Sequence, residues 1–112
     1  MKQTVMLKKN YEFKIVLTKG RFYIGKQLKI VILKNGKNFK TGIAVSTKNG
    51  KAFQRNKAKR LIREAYKNLE EKIINGYSIV VLLKKDIDIN DMKYIDIINE
   101  MENTFKKANI IF

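Results

Sequence analysis

Arg55, Lys57, Lys59, Arg60 and Arg63 crowd a stretch whose apolar residues recur at helical spacing (RNKAKRLIREAY, residues 55–66). At about 100° per residue, Ala58, Leu61, Ile62, Ala65 and Leu69 collect on one face of a helix. Asn56, Lys59, Arg60, Arg63 and Lys67 collect roughly opposite, with Arg55 and Lys57 on the borders. A helix anchored by one side and presenting arginines from the other can grip phosphates, because guanidinium groups offer paired donors to phosphate oxygens. An ordinary solvated face alternates sign to gain pairs one turn apart. Here no acidic residue occurs between Glu12 and Glu64. The cations also sit in the first turns, where the helix dipole disfavours each by a few tenths of a kcal/mol. An external polyanion would offset that repulsion, and RNA is the expected one.

Other chemistry is sparse. With no histidine and no cysteine, acid–base work at neutral pH would fall to a perturbed carboxylate or lysine. Glu12 is the sole carboxylate of the basic half, whereas two-metal nucleases need several. The segment KKDIDIND offers Asp86, Asp88, Asn90 and Asp91, but a calcium loop starting at Asp86 needs glycine where Asp91 stands and glutamate where Ile97 stands. A turn with an Asx cap on the last helix explains the same residues. No metal site is therefore expected in the protein. Phe13, Phe22, Tyr23, Phe39, Phe53 and Tyr66 lie in or near the basic half, and rings beside cations can stack unpaired bases. Most such rings belong to a core; Phe13, on a short helix beside a sheet, is the best placed to form the wall of a groove.

The elements must hold these groups within one domain, residues 1–112. Net charge is +15, and it is segregated: residues 1–63 hold 18 Lys+Arg against one acid, residues 64–112 hold 7 against 9. That asymmetry favours a polyanion partner over a general solubility device. Lysine supplies 21 of the 25 cations and could reflect compositional bias, so the four arginines weigh more, and three of them fall in the basic helix. The lack of cysteine excludes a disulfide framework and thiolate metal sites. The longest apolar run, residues 79–83, is far below the roughly 20 residues of a membrane span, and the first ten residues lack a signal-peptide core. The expectation is a soluble cytoplasmic protein.

A short helix is predicted over residues 11–18, with Asn10 as cap, Phe13, Val16 and Leu17 on one face, and Gly20 at the C-terminal end. Strand 28–33 alternates Leu28, Ile30 and Ile32 with Lys29, Val31 and Leu33, and Asn35-Gly36 signals a hairpin to a partner strand at 39–46. In that partner Ile43 and Val45 share one face; Gly42, Ala44 and Ser46 share the other, leaving room for something to lie across the sheet. A loop at 47–53 leads to the long helix, 54–74, then a doubly buried strand, 77–83, and a last helix, 91–107. The order is α-β-β-(β)-α-β-α, an α+β sandwich. The bracketed strand is open, and a short one at 21–24 fits equally well.

The stretch TGIAVSTKNGKAFQRNKAKRLIREAY (residues 41–66) resembles the signature of the bacterial ribonuclease P protein subunit. It has the glycine-led strand ending in serine, the Gly-x-Ala turn and the Arg-Asn-x-x-Lys-Arg helix. The N-terminal LKKNYEFKIVLTKG, the strand 77–83 and the helix ending near Phe105 are similar too, so the likeness spans nearly the whole chain. The resemblance implies a small α/β sandwich with a left-handed β-α-β crossover around the signature helix. It implies a non-catalytic partner of a large catalytic RNA that removes the 5′ leader of precursor tRNA, the RNA holding the Mg²⁺ ions and the protein alone binding no cofactor. It places RNA contacts on Arg55, Asn56, Lys57, Lys59, Arg60 and Arg63. It places a leader-binding cleft at Phe13, Leu17, Lys29, Val31 and Ser46.

Three departures stand out. Lys57 replaces the usual arginine, keeping charge but losing the bidentate fork. Leu17 and Val31 stand where aromatic residues are common, which would leave base stacking to Phe13. Thr47 and Asn49 thin the basic run before the helix. Two rival readings remain from the residues themselves: a general RNA-binding or ribosome-assembly module, and an autonomous nuclease using Asp86, Asp88 and Asp91.

Overall fold

The computed structural model describes residues 4–6, 10–35, 41–46, 50–74 and 76–111. In chain order the elements are β1 (Thr4–Met6), α1 (Asn10–Lys19), β2 (Arg21–Ile24), β3 (Leu28–Lys34), β4 (Thr41–Ser46), α2 (Ala52–Leu69), β5 (Tyr77–Leu83) and α3 (Tyr94–Lys107). Short 3-10 turns follow α2 at Glu70–Lys72 and precede α3 at Ile89–Asp91. The strands form one five-stranded sheet ordered β1-β4-β5-β3-β2.

Period-two patterning assigns the two faces. Leu28, Ile30, Ile32, Val45, Ile79, Val81 and Leu83 join the core beneath α2 and α3. Val31, Ala44 and Val80 pack with Val16 of α1 on the other side. The expected α+β sandwich is therefore present, with α1 on one face and two helices on the other. Tyr66 lies in the core, not on a nucleic-acid platform. It follows Ile62 by one helical turn and continues its stripe.

The strand order corrects the expected hairpin. β3 does not pair with β4: β5 lies between them, antiparallel to β3 and parallel to β4. Ile79, Val80 and Val81 are all fully buried, and a strand apolar on both faces is satisfied only in the middle of a sheet. Asn35 accordingly ends β3 by bonding to the start of β5. Its backbone N–H donates to the Gly76 carbonyl (2.7 Å) and its Nδ2 to Ser78 Oγ (2.9 Å). Gly36 and Phe39 lie outside the described residues. The β4–α2–β5 unit is the β-α-β crossover to which the resemblance attaches a left hand.

Other boundaries differ locally. The open strand is β2, antiparallel to β3, since Gly50 and Lys51 lead directly into helix. β1, parallel to β4, has only three residues and left no periodic signal. α2 begins at Ala52 and yields to a 3-10 turn after Leu69, because Ile73 turns away to bridge Ile111. α3 starts at Tyr94, later than expected, because Ile89–Asp91 form their own turn.

Two long-range devices fix the frame. Glu100 of α3 accepts the backbone N–H groups of Gln27 (3.0 Å) and Leu28 (2.9 Å), one on each carboxylate oxygen. Gly20 closes α1 by donating to the Val16 carbonyl (2.8 Å). A Cβ on Gly20 would lie 2.5 Å from that carbonyl oxygen and 2.7 Å from Val31 Cγ1. Gly20→Ala is therefore expected to cost about 1–3 kcal/mol through overpacking, read as a lowered midpoint in thermal denaturation. An unchanged midpoint would show that α1 shifts freely on the sheet.

Candidate nucleic-acid interface

α2 is launched by a turn that its sequence encodes. Gly50 has φ of 69°, a left-handed conformation suited to glycine. The Gln54 side chain reaches back to accept the Lys51 N–H (2.8 Å), the reciprocal half of a capping box. Arg55 Nη1 donates to the Gly50 carbonyl (2.6 Å), so part of this guanidinium is committed to the turn. Ala58, Ile62, Ala65, Tyr66 and Leu69 then bury one face of the helix.

The opposite face is as free as the charge pattern required. Asn56, Lys57, Arg60 and Arg63 are exposed, and Arg55 and Lys59 are half-buried. Among the described residues, Arg60 and Arg63 make no hydrogen bond or ion pair, not even with Glu64. The described ion pair, Lys72–Glu102 at 3.3 Å, lies beyond the end of α2. The guanidinium groups of Arg60 and Arg63 are thus presented to solvent by a backbone that the core immobilises.

A groove of about 240 Å³ opens on the α1 face of the sheet. Register builds its floor: Lys29 of β3 lies opposite Leu82 of β5, and Leu82 opposite Ser46 of β4. Phe13 and Leu17 of α1 form a wall, and Lys84 and Lys85 stand at the rim. Four of the five residues expected in a cleft, Phe13, Leu17, Lys29 and Ser46, line this groove. Val31 does not: it lies one pleat further along β3, directly under α1, with 0% exposure. Leu82, Lys84 and Lys85 were missed; two lysines following an apolar strand were the available signal. Ser46 ends β4 and Gly50 opens the α2 turn four residues later, so chain length keeps them within about 14 Å. The Ser46 end of the groove is therefore tied by a short connection to the start of α2, whose body packs on the other face of the sheet.

The remaining candidates are placed differently. Phe22 and Phe53 are exposed and outside the groove, and Phe39 lies outside the described residues. Asp88 caps its own 3-10 turn by accepting the Asn90 N–H (2.9 Å) and not α3. Among the described residues no three acidic, histidine or cysteine side chains converge on one point.

Fold and site together define a basic α/β sandwich with a grooved sheet beside an arginine-bearing helix. A family model described as Ribonuclease P matches residues 1–109, and the chain belongs to that family of ribonuclease P protein components. A Clostridioides difficile (strain 630) ribonuclease P protein component is 40% identical over 110 residues, covering 96% of this chain and 95% of the relative. One from Fusobacterium nucleatum is 39% identical, covering 94% and 97%. Among solved structures, the Staphylococcus aureus RNase P protein superposes with a TM-score of 0.77 at 31% identity, covering 98% of this chain and all of that one. The Thermotoga maritima RNase P protein has the same fold (TM-score 0.80, 24% identity, covering 91% and 96%). The protein is thus a component of ribonuclease P, an endoribonuclease of tRNA processing.

Proposed function

We propose that the protein binds the catalytic RNA of ribonuclease P and the 5′ leader of precursor tRNA, and supplies no catalytic group itself. The observation that carries this reading is the pair of guanidinium groups, Arg60 and Arg63, unpartnered among the described residues on a core-anchored helix, in a fold whose sheet also carries a groove. Arg55, Asn56, Lys57, Lys59, Arg60 and Arg63 contact RNA; Phe13, Leu17, Lys29 and Ser46 guide the leader, with Lys84 and Lys85 adding phosphate contacts. Among the described residues lining the groove, Phe13 is the one aromatic ring for stacking a base. Binding the leader discriminates substrate from mature product, which would otherwise compete for the same enzyme. In this reading the Mg²⁺ ions of the reaction are held by the RNA. The reaction takes place in the cytoplasm.

Reconstitution tests the reading. Adding the purified protein to a ribonuclease P RNA is expected to permit leader removal at Mg²⁺ concentrations where the RNA alone is inactive. RNA binding without any such support would favour a general RNA-binding or ribosome-assembly module. Cleavage by the protein without RNA, lost on changing Asp86, Asp88 and Asp91, would favour an autonomous nuclease.

A further inference from the structure

A second cavity, of about 660 Å³, lies between α3 and the β2–β3 connection and shares no lining residue with the groove. Its volume falls in the range of roughly 300–1,000 Å³ typical of small-molecule sites. One wall is rigid: Gly25 N–H donates to the Leu28 carbonyl (2.8 Å), Lys84 N–H to the Gln27 carbonyl (2.9 Å), and Glu100 holds two further amides of the same segment. The other wall is a stripe of α3 on which Asp96, Asn99, Asn103 and Lys107 recur every three or four residues. All four are exposed, and none has a side-chain hydrogen bond or ion pair among the described residues. Tyr23 closes one end, held by the Arg21 guanidinium 5.7 Å from its ring centre, and Lys26 stands on the rim.

Asp96 and Lys107 complement the dipole at the two ends of α3, whereas the Asn99 and Asn103 amides bond nothing among the described residues, the polar needs of this segment being met by Glu100 and Lys84. Two side-chain amides one turn apart present adjacent donors and acceptors, the pattern that matches the edge of a nucleobase. A carboxylate beside them accepts from an exocyclic amino group, a tyrosine ring packs against a base, and lysines on both walls meet a phosphate. We propose that this cavity binds a nucleoside monophosphate unit, its base against Tyr23, Asn99 and Asn103 and its phosphate on Lys26 or Lys107. The cavity shares no lining residue with the leader groove, and Lys84 of the groove rim braces its wall by donating Nζ to the Gly25 carbonyl (3.3 Å).

Titrating the isotope-labelled full chain with AMP, CMP, GMP and UMP, and separately with a single-stranded tetranucleotide, tests this by NMR. The side-chain amide signals of Asn99 and Asn103 and the ring signals of Tyr23 are expected to shift. The Asn99→Ala/Asn103→Ala pair should weaken monophosphate affinity about tenfold, through two lost hydrogen bonds, with the backbone spectrum of a folded protein retained. The Arg60→Ala/Arg63→Ala pair should leave monophosphate affinity at this site unchanged, which separates the cavity from the α2 surface. Tighter binding of the tetranucleotide through the same signals makes an RNA chain the source of the ligand; monophosphate binding alone makes it a free nucleotide, and either supports the site. Shifts confined to the α1 groove or α2, affinity unaltered by the double asparagine change, or a response to polyglutamate and to no nucleotide would overturn it.

Discussion

Alanine at both Arg60 and Arg63 is expected to weaken binding of a leader-bearing precursor tRNA by about 2–5 kcal/mol, while folding stability changes by no more than about 0.5 kcal/mol. Each guanidinium is exposed and without a partner among the described residues, so its removal leaves no buried group orphaned. What is lost is about 1–3 kcal/mol of charge-assisted phosphate contact per side chain. The two residues are one helical turn apart and face the same polyanion, so the double change is expected to cost somewhat less than the sum of the single ones. Lysine at either position should recover part of the loss, since charge returns without the planar fork. Filter binding or fluorescence anisotropy reads the affinity, and thermal denaturation reads the fold. Affinity equal to the parent would remove these side chains from the interface.

The second large effect is on the fold. Phe105 of α3 is 0% exposed and sits in the core that joins α3 to α2 and the sheet. Phe105→Ala should cost about 3–5 kcal/mol, the lost burial plus the cavity left behind. Against a total stability of about 5–15 kcal/mol, that lowers the thermal midpoint by at least about 10 °C. Circular dichroism melts check it, and a cost below about 1 kcal/mol would contradict the packing described. At low temperature, where the variant remains folded, its RNA affinity should match the parent, since Phe105 touches neither the groove nor the wet face of α2. The two changes thus separate the scaffold from the site.

What could be read in the sequence follows from the range of each interaction. The buried stripe of α2 was legible because Ala58, Ile62, Ala65 and Leu69 obey a local period, and the wet face followed from it. Tyr66 obeys the same period, and it lies in the core, as expected of most rings in the basic half. The face of β3 that carries Lys29 and Val31 was equally legible. Which of the two reaches the groove was not, because the path of α1 across the sheet decides it. Strand order was hidden for a similar reason: β5 pairs with β3 across about fifty residues, and the local Asn35-Gly36 signal pointed to a nearer partner. The Glu100 bonds to Gln27 and Leu28 span more than seventy residues and have no signature in composition or period. Family membership supplied the expected groove before any geometry did, and the register of Lys29, Leu82 and Ser46 supplies its physical basis.

The salt dependence of RNA affinity tests the central claim most directly. A fluorescently labelled leader RNA titrated with the protein across a range of salt concentrations should give a log–log slope of about −3 to −5, matching four to six phosphate contacts. Arg60→Ala/Arg63→Ala should flatten that slope by about 2 units. A slope near zero, or one indifferent to both arginines, would contradict the claim that this helix face holds nucleic acid.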